Sequence, residues 1–175
     1  MLDSLISDRD HEEDVTLSDG TKVTLRAVRP EDKPLFARGM SRLSPDSRRR
    51  RFMFSRGDLT DEELAYLTEV DGVDHVAIGA LAGGEGVGIA RFVRLAGEPD
   101  AAEPALAVVD DLQGRGLGKI LLANLVAAAR ERGIKRFRAE VLRDNASMLA
   151  LFRGLASPAT EELVDDEVVV VEVPL

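Results

Sequence analysis

The residues best suited to chemistry lie in the stretch 113–118, which reads Gln-Gly-Arg-Gly-Leu-Gly. It follows a short apolar run that ends at Val109 and precedes a helical pattern that opens near Gly116. Glycine lets the backbone approach a ligand closely, and a helix N-terminus carries a partial positive charge. With the charges of Arg115 and Lys119, this stretch could bind an anionic pyrophosphate.

The same glycine pattern excludes two other nucleotide-binding motifs. The stretch does not end in Gly-Lys-Ser or Gly-Lys-Thr, as the phosphate loop of nucleoside triphosphatases does. Its glycines alternate, unlike the G-x-G-x-x-G spacing of dinucleotide-binding turns, and they lie late in the chain. A tight turn that merely requires small residues stays open as the structural alternative.

A second motif, the segment 145–152, lies downstream and reads Asn-Ala-Ser-Met-Leu-Ala-Leu-Phe. Together the two motifs resemble the GCN5-related N-acetyltransferases, the GNAT family. The stretch 113–118 is similar to the family's Q/R-x-x-G-x-G/A signature, and Asn145 stands where an asparagine opens the helix along the pantetheine arm. The resemblance covers about residues 20 to 156. Segments that resemble the catalytic domain of bacterial protein lysine acetyltransferases are 23–32, 43–52 and 59–70.

The resemblance implies that acetyl-CoA is the acetyl donor and that no metal takes part. In the family, the backbone corresponding to Val108 and Val109 pairs with the pantetheine arm like an added strand and offers an amide to the thioester oxygen. The predicted cofactor-binding residues are therefore Val108, Val109, Gln113, Gly114, Arg115, Gly116, Leu117, Gly118, Lys119, Asn145, Met148 and Phe152.

Transfer to an amine requires a base, because an alkylammonium group has a pKa near ~10.4. Carboxylates are the available candidates, since His11 lies in an acidic start and His75 is interpreted as structural. The resemblance places the family's glutamate base at Glu103. A solvated carboxylate at a strand edge is the alternative for this residue. The neighbouring carboxylates that compete for the role are Glu98, Asp100, Asp110 and Asp111.

Phe152 departs from the family's pattern, because many relatives carry a tyrosine there as general acid. Tyr66, the only tyrosine of the chain, falls in a different predicted helix. Either water protonates the leaving thiolate or the reaction needs no acid, since thiols have pKa values near ~8.5.

Composition indicates the class of partner and the compartment. The 175 residues carry a formal net charge of −9 and no cysteine. The acidic balance argues against nucleic acid as the main partner, and the lack of cysteine excludes a disulfide framework or a Cys-based zinc site. No apolar run approaches the roughly 18 residues that cross a bilayer. We expect a cytoplasmic monomer or homodimer without nucleic acid or membrane partners. The run 48–51 consists of four arginines, and we interpret it as a solvated helix face.

The acceptor stays open between two kinds of amine. The N-terminal half favours a protein lysine side chain, whereas the absence from this sequence of the regulatory domains that often accompany such catalytic domains leaves a small-molecule amine open. A non-catalytic acyl-CoA-binding sensor is a third hypothesis, suggested by Phe152.

The elements that position these residues follow from hydrophobic periodicity and turn residues. Strand patterns cover 22–28, 75–82, 87–95, 105–109, 137–142 and 167–173. Helical patterns cover about 30–40, 45–54, 60–68, 116–133 and 145–155, with Ser44 and Thr60 as N-caps. The segment Glu98 to Asp100 is interpreted as a break.

This order of elements predicts an α/β (α+β) domain, and the resemblance specifies the GNAT fold. We expect a mixed central sheet of about six or seven strands flanked by helices. A single acetyltransferase domain is predicted over residues 16–175, preceded by an acidic flexible tail at residues 1–15.

Overall fold

A computed structural model describes residues 11–53, 57–155 and 158–175 of the protein. In these ranges eight strands form one mixed sheet in the order β1-β2-β3-β4-β5-β6-β8-β7. The strands are β1 (Glu12–Thr16), β2 (Lys22–Ala27), β3 (His75–Ala82), β4 (Glu85–Leu95), β5 (Glu98–Val108), β6 (Arg136–Leu142), β7 (Thr160–Leu163) and β8 (Val168–Pro174). The helices are α1 (Lys33–Ser41), α2 (Pro45–Phe52), α3 (Asp61–Thr68), α4 (Leu117–Glu131) and α5 (Ala146–Arg153).

The predicted fold class is confirmed, with a strand count slightly above the expected six or seven. All neighbouring strands pair antiparallel except β5 and β6, which are parallel and are connected through α4. A parallel pair needs such a crossover helix, whereas β3 and β4 are joined by the short glycine turn that the sequence predicts.

The main core lies between the sheet and helices α4 and α5, and its largest fully buried side chains are Phe92, Phe137 and Phe152. Strand side chains alternate between faces, so Val76 and Ile78 of β3 belong to this core. Helices α1 and α3 pack against the opposite face, where α1 lies along β4. No helix of the described residues is long and apolar enough to span a bilayer.

The predicted helix starts are confirmed by their caps. The Ser44 hydroxyl accepts from the Ser47 amide at 3.1 Å and opens α2. Thr60 and Glu63 form the expected reciprocal capping box at the start of α3. The helix α2 ends at Phe52, and residue 54, which we expected to close it, lies outside the described residues.

The expectation of a flexible tail through residue 15 is wrong for residues 12–15, which form most of β1. This strand pairs antiparallel with β2 in a register that places Glu12 opposite Arg26. Asp14 accepts a 2.7 Å hydrogen bond from the Thr24 hydroxyl. Acidic residues therefore satisfy polar partners across the strand pair instead of keeping the segment in solvent. Residues 1–10 lie outside the described ranges.

The expected break at residues 98–100 is also wrong, because β5 begins at Glu98. The pairing with β4 shifts its register between Arg94 and Leu95, and such an irregularity accommodates Pro99. The guanidinium of Arg136 then holds the strand start by donating to Glu98 at 2.6 Å and to Asp100 at 2.8 Å.

A buried ion pair connects β2 to the start of α1. Arg26 and Asp32 are 8% and 6% exposed, and two hydrogen bonds of 2.8 and 2.7 Å join the guanidinium to the carboxylate. The Arg29 amide adds a third bond to Asp32 at 2.8 Å. Burial raises the pKa of Asp32, but these bonds and the Arg26 charge outweigh it and hold the pKa below its ordinary value.

Candidate active site

The site begins where β5 and β6 diverge. Their parallel pairing consists of Ala101 with Arg136 and Ala102 with Phe137. From Glu103 onward no strand of the described chain pairs with this edge of β5. Pro104, which has no N–H to donate, lies just beyond the last paired residue, so the ladder ends where its donor is missing.

Two hydrogen bonds show which way the backbone groups of this free edge point. The Val109 amide donates to the Val87 carbonyl of the β4 side at 3.0 Å. The Val108 carbonyl faces the other way and accepts from Gln113 Nε2 at 3.0 Å. Because successive residues point their N–H groups to opposite edges, Leu106 and Val108 direct theirs into the gap between β5 and β6. The two predicted valines thus differ, since the Val109 amide already has a partner.

The loop that follows β5 has the backbone shape of an anion-binding turn. Gly114 and Gly116 have φ values of 73° and 90°, and a Cβ at either position would meet nothing within 4 Å. Conformation therefore selects glycine at both positions. At Gly118 space is tight, since a Cβ would lie 3.3 Å from a methyl group of Leu151. Gly116 precedes α4, whose first amides open towards the loop.

Two predicted loop residues point away from the cavity. The Arg115 side chain forms an ion pair with Asp19, and its carbonyl accepts from the Ser18 amide at 3.3 Å. Leu117 is 1% exposed and lies beside Gly88, where a Cβ would be 3.2 Å from the leucine methyl group. Both residues anchor the loop instead of lining the space beside it.

A cavity of about 280 Å³ lies beside this loop, and we call it the donor cavity. It brings together most of the predicted residues, including backbone of β5, the glycine loop and the start of α5. The predicted residues that line it are Val108, Gln113, Gly114, Gly116, Gly118, Lys119, Asn145 and Met148. Lining residues that the sequence analysis missed are Leu43, Ser47, Arg50, Arg51, Leu106, Ala107, Leu112, Ser147 and Leu151.

The arginines of α2 correct the interpretation of a solvated face. Arg50 and Arg51 line the donor cavity, and Arg50 also pairs with Asp46 of its own helix at 2.9 Å. Arg49 forms an ion pair with Asp144, just before α5. The run of four arginines in the sequence was the signal for this cluster of positive charge. Which of these side chains face the cavity depends on how α2 docks.

A hydrogen-bond network docks α2 against the loop. The Asp110 carboxylate accepts from the Ser44 amide at 3.0 Å, and Gln113 Nε2 donates to the Ser47 hydroxyl at 3.2 Å. Burial raises the pKa of Asp110, but hydrogen bonds from Ser44 and Ser47 outweigh it and lower the pKa below its ordinary value. Gln113 therefore joins α2 to the Val108 carbonyl, which places the helix over the free edge of β5.

Helix α5 closes the other side of the cavity. The Asn145 side chain accepts from the Met148 amide at 3.2 Å, which caps the helix and turns both residues towards the donor cavity. Phe152, one turn on, is 1% exposed within the main core. It does not line the cavity and offers no hydroxyl.

Glu103 is exposed at the point where the β5–β6 pairing ends, outside the donor cavity. It lies opposite Val93 of β4, and Val93 lies opposite His75 of β3, so the three share one face of the sheet. His75 packs against Tyr66, with ring centroids 4.9 Å apart and ring planes tilted by 41°. Burial and the Arg91 charge hold the pKa of His75 below its ordinary value, against the opposing charge of Asp71, so its ring is neutral at neutral pH.

A second cavity, of about 100 Å³, lies between α1 and the sheet, and we call it the apolar cavity. Side chains of α1 and β3 form its walls, including Leu35, Phe36 and Leu81, and Val109 lines it as well. It shares Leu43, Arg51 and Ala107 with the donor cavity, so the two spaces meet at β5.

This geometry agrees with the comparison to known proteins. The model of the Acetyltransferase (GNAT) family matches residues 40–156, a range that contains α2, the whole glycine loop and α5. The chain belongs to the GNAT family.

Curated relatives of this GNAT protein are bacterial acetyltransferases. Acetyltransferase Pat of Mycolicibacterium smegmatis is 37% identical over 154 residues, which are 86% of this chain and 45% of the relative. An acetyltransferase of Pseudomonas aeruginosa is 32% identical over 125 residues, which cover 69% of this chain and 67% of the relative. The chain thus spans less than half the length of the mycobacterial protein.

Solved structures show the same architecture. The GNAT domain of S. lividans PAT superposes with a TM-score of 0.86 at 35% identity, covering 94% of this chain and 97% of that domain. A putative acetyltransferase of Salmonella typhimurium, solved with its cofactor acetyl-CoA, has a TM-score of 0.69 and covers 87% of this chain and 92% of that chain. At 20% identity the second likeness shows the fold alone.

Proposed function

We propose that this GNAT protein transfers the acetyl group of acetyl-CoA to an amine. The observation that carries the proposal is the free edge of β5. It begins at Glu103, carries the amides of Leu106 and Val108, which no strand of the described residues pairs, and leads into a glycine loop at the N-terminus of α4. The edge, the loop and the donor cavity form one continuous path that fits an extended ligand ending in phosphates.

The residues present fit the pantetheine arm and the pyrophosphate of such a donor. The amides of Leu106 and Val108 would pair with the pantetheine arm as a neighbouring strand does. The loop amides at Gly114 and Gly116, the α4 N-terminus and Lys119 would hold the pyrophosphate. When bound, acetyl-CoA supplies an activated acetyl group as a thioester, so that an amide C–N bond forms as the C–S bond breaks.

Glu103 would take the proton that the amine loses. An alkylammonium with a pKa near ~10.4 is charged at neutral pH, and a carboxylate can accept its proton directly or through one water. The exposure of Glu103, just after the point where the β5–β6 pairing ends, supports this role. Thiols have ordinary pKa values near ~8.5, so the thiolate can leave without a phenol in place of Phe152.

For the acceptor we propose a protein lysine side chain. The supporting observation is the similarity to Acetyltransferase Pat and to the GNAT domain of S. lividans PAT over most of this chain. The net charge of −9 would favour the approach of a basic segment. We further propose that the chain from β1 at Glu12 to residue 175 acts as one domain in the cytoplasm, as a monomer or homodimer. Light scattering after gel filtration would measure the oligomeric state.

The test is thiol release from acetyl-CoA over a panel of lysine peptides, polyamines and amino compounds. The measurement has no protein thiol background, because the chain has no cysteine. We expect release that depends on lysine peptides. Release with polyamines or amino compounds alone would replace the acceptor by a small molecule. Saturable acetyl-CoA binding without release for any acceptor would indicate a sensor and contradict the enzyme.

A further inference from the structure

The apolar cavity under α1 has no part in the acetyl transfer described above. Its walls combine Leu35 and Phe36 of α1 with Leu81 and Ile89 of the sheet. The buried polar pair at its margin, Arg26 and Asp32, is already satisfied by mutual hydrogen bonds. Apolar space of this kind excludes water and accepts apolar groups.

The apolar cavity adjoins the path along which the proposed donor would lie. Ala107 lines both cavities, and it stands between Leu106 and Val108, whose amides face the gap. Leu43 and Arg51 border both spaces from the side of α1 and α2. A group bound beside these amides would therefore lie next to the apolar cavity.

A glycine of β3 helps to keep this space open without being required by the backbone. Gly79 has no positive φ, and a Cβ there would meet Val28 at 3.5 Å, an ordinary van der Waals contact. Neither strain nor crowding at Cβ demands glycine at this position. Gly79 lines the apolar cavity together with Leu35 and Phe36 of α1, and its missing side chain leaves room in that lining.

We propose that the apolar cavity receives the acyl chain of the donor, so that the protein takes short straight-chain acyl-CoA thioesters longer than acetyl, such as butyryl-CoA. The inference rests on the proposed donor site but on no particular acceptor. Each methylene group moved from water into the cavity favours binding about fourfold. Butyryl-CoA, which has two more methylene groups, should accordingly bind about sixteenfold more tightly than acetyl-CoA.

Calorimetric titration of the purified protein with CoA, acetyl-CoA, butyryl-CoA and hexanoyl-CoA tests this directly. In Gly79→Val the added methyl groups would enter the cavity, and the preference for butyryl-CoA over acetyl-CoA should fall from about sixteenfold to about twofold or less. Phe36→Ala enlarges the cavity and should shift the tightest binding towards hexanoyl-CoA. Equal or weaker binding of butyryl-CoA by the unchanged protein would overturn the proposal, as would a preference that Gly79→Val leaves intact.

A milder pair of variants covers the case in which Gly79→Val does not fold. Gly39→Ala adds one methyl group from α1 to the same cavity, and alanine suits a helix better than glycine. Gly57→Ala adds the same group where nothing lies within 4 Å. Gly39→Ala should reduce the butyryl preference, and Gly57→Ala should not. Equal effects of the two would count against the proposal.

The binding readout separates this proposal from the proposed function. Tighter butyryl-CoA binding without transfer to any amine would contradict the enzyme and support the cavity's role. Acetyl transfer without any gain for longer chains would do the opposite. If Gly79→Val raises the KM of the amine and leaves the acyl preference unchanged, the cavity holds the acceptor's alkyl chain and the proposal is wrong.

Discussion

The edge and the face of β5 present different kinds of groups to the two proposed substrates, the edge to the acetyl donor and the face to the acceptor amine. Along the edge, backbone amides of Leu106 and Val108 and the loop at Gly114 and Gly116 form the donor side. On the face below α1 and α3 the groups are side chains, including Glu103 and a neutral His75. The donor side is thus fixed by backbone shape, whereas the acceptor side depends on which side chains the elements carry.

This difference predicts how each side responds to substitution. Backbone amides survive most side-chain changes, so the donor side should be disturbed mainly where a positive φ or a docking contact is lost. The acceptor side should be disturbed by changing single functional groups. The following experiments test that contrast, from the largest expected effect to the smallest.

Glu103→Gln should lower kcat by about 10²- to 10⁴-fold, because the amide cannot accept the amine proton. The Kd for acetyl-CoA, measured by calorimetry, should stay within about twofold. His75→Asn is the matched control, since His75 is a second titratable group on the same face of the sheet. If the histidine variant loses turnover and the glutamine variant keeps it, the base has been assigned to the wrong residue.

Asp32→Ala should destabilise the fold by about 3–5 kcal/mol, because it leaves Arg26 buried without its carboxylate. Urea unfolding followed by circular dichroism measures this loss. Asp14→Ala serves as the control, since it removes an exposed carboxylate from the neighbouring strand pair. Similar losses in both variants would show that the buried pair contributes nothing special.

The contribution of Asp32 should also depend on pH. Its pKa is depressed in the folded protein, so its stabilisation is present above the unfolded value of about 3.9 and is lost as the pH falls through the folded value. Unfolding curves at neutral pH and near pH 3 should show the difference between the protein and Asp32→Ala shrinking in acid. A difference that stays constant would contradict the lowered pKa.

Gly116→Ala should weaken acetyl-CoA binding about tenfold, because a φ of 90° costs an alanine about 1–2 kcal/mol and the loop would relax away from it. Gly133→Ala imposes the same kind of strain at the far end of α4, where φ is 74°. Both variants should lose stability, but only the first should lose affinity. If the two variants bind acetyl-CoA with equal affinity, the loop is not part of the donor site.

Gln113→Ala should cost about 1 kcal/mol in acetyl-CoA affinity, because it removes the bonds to Val108 and Ser47 that dock α2. Ser47→Ala breaks one of these bonds and should have a smaller effect of the same sign. Calorimetric measurement of the acetyl-CoA affinity of both variants shows which loss is larger. A larger loss for Ser47→Ala would mean that the network acts through another partner.

The sequence predicted the parts of the site that are local in the chain. The glycines of the loop and the cap at Asn145 carry their geometry in residue type and spacing, so both could be read directly. The choice between Val108 and Val109 could not, because it depends on which edge of β5 each amide faces. Arg50 was missed because its position depends on the hydrogen bond between Ser44 and Asp110, two residues that are far apart in the sequence.

The same reasoning explains the errors in the fold. Strand β1 was missed because a segment with Glu12 and Asp14 has the composition of a solvated tail, and its pairing with β2 becomes visible only in the register. The start of β5 was missed because Pro99 is a strand breaker unless an irregular pairing receives it. Pairing between residues far apart in the sequence therefore determines both β1 and the start of β5.

The structure of the protein with acetyl-CoA bound tests the central claim most directly. We predict the pantetheine arm in the gap between β5 and β6, hydrogen-bonded to the amides of Leu106 and Val108, with the phosphates at the loop before α4. The Glu103 carboxylate should reach the amine side of the thioester through at most one water. Acetyl-CoA bound away from this edge, or with Glu103 out of such reach, would contradict the account.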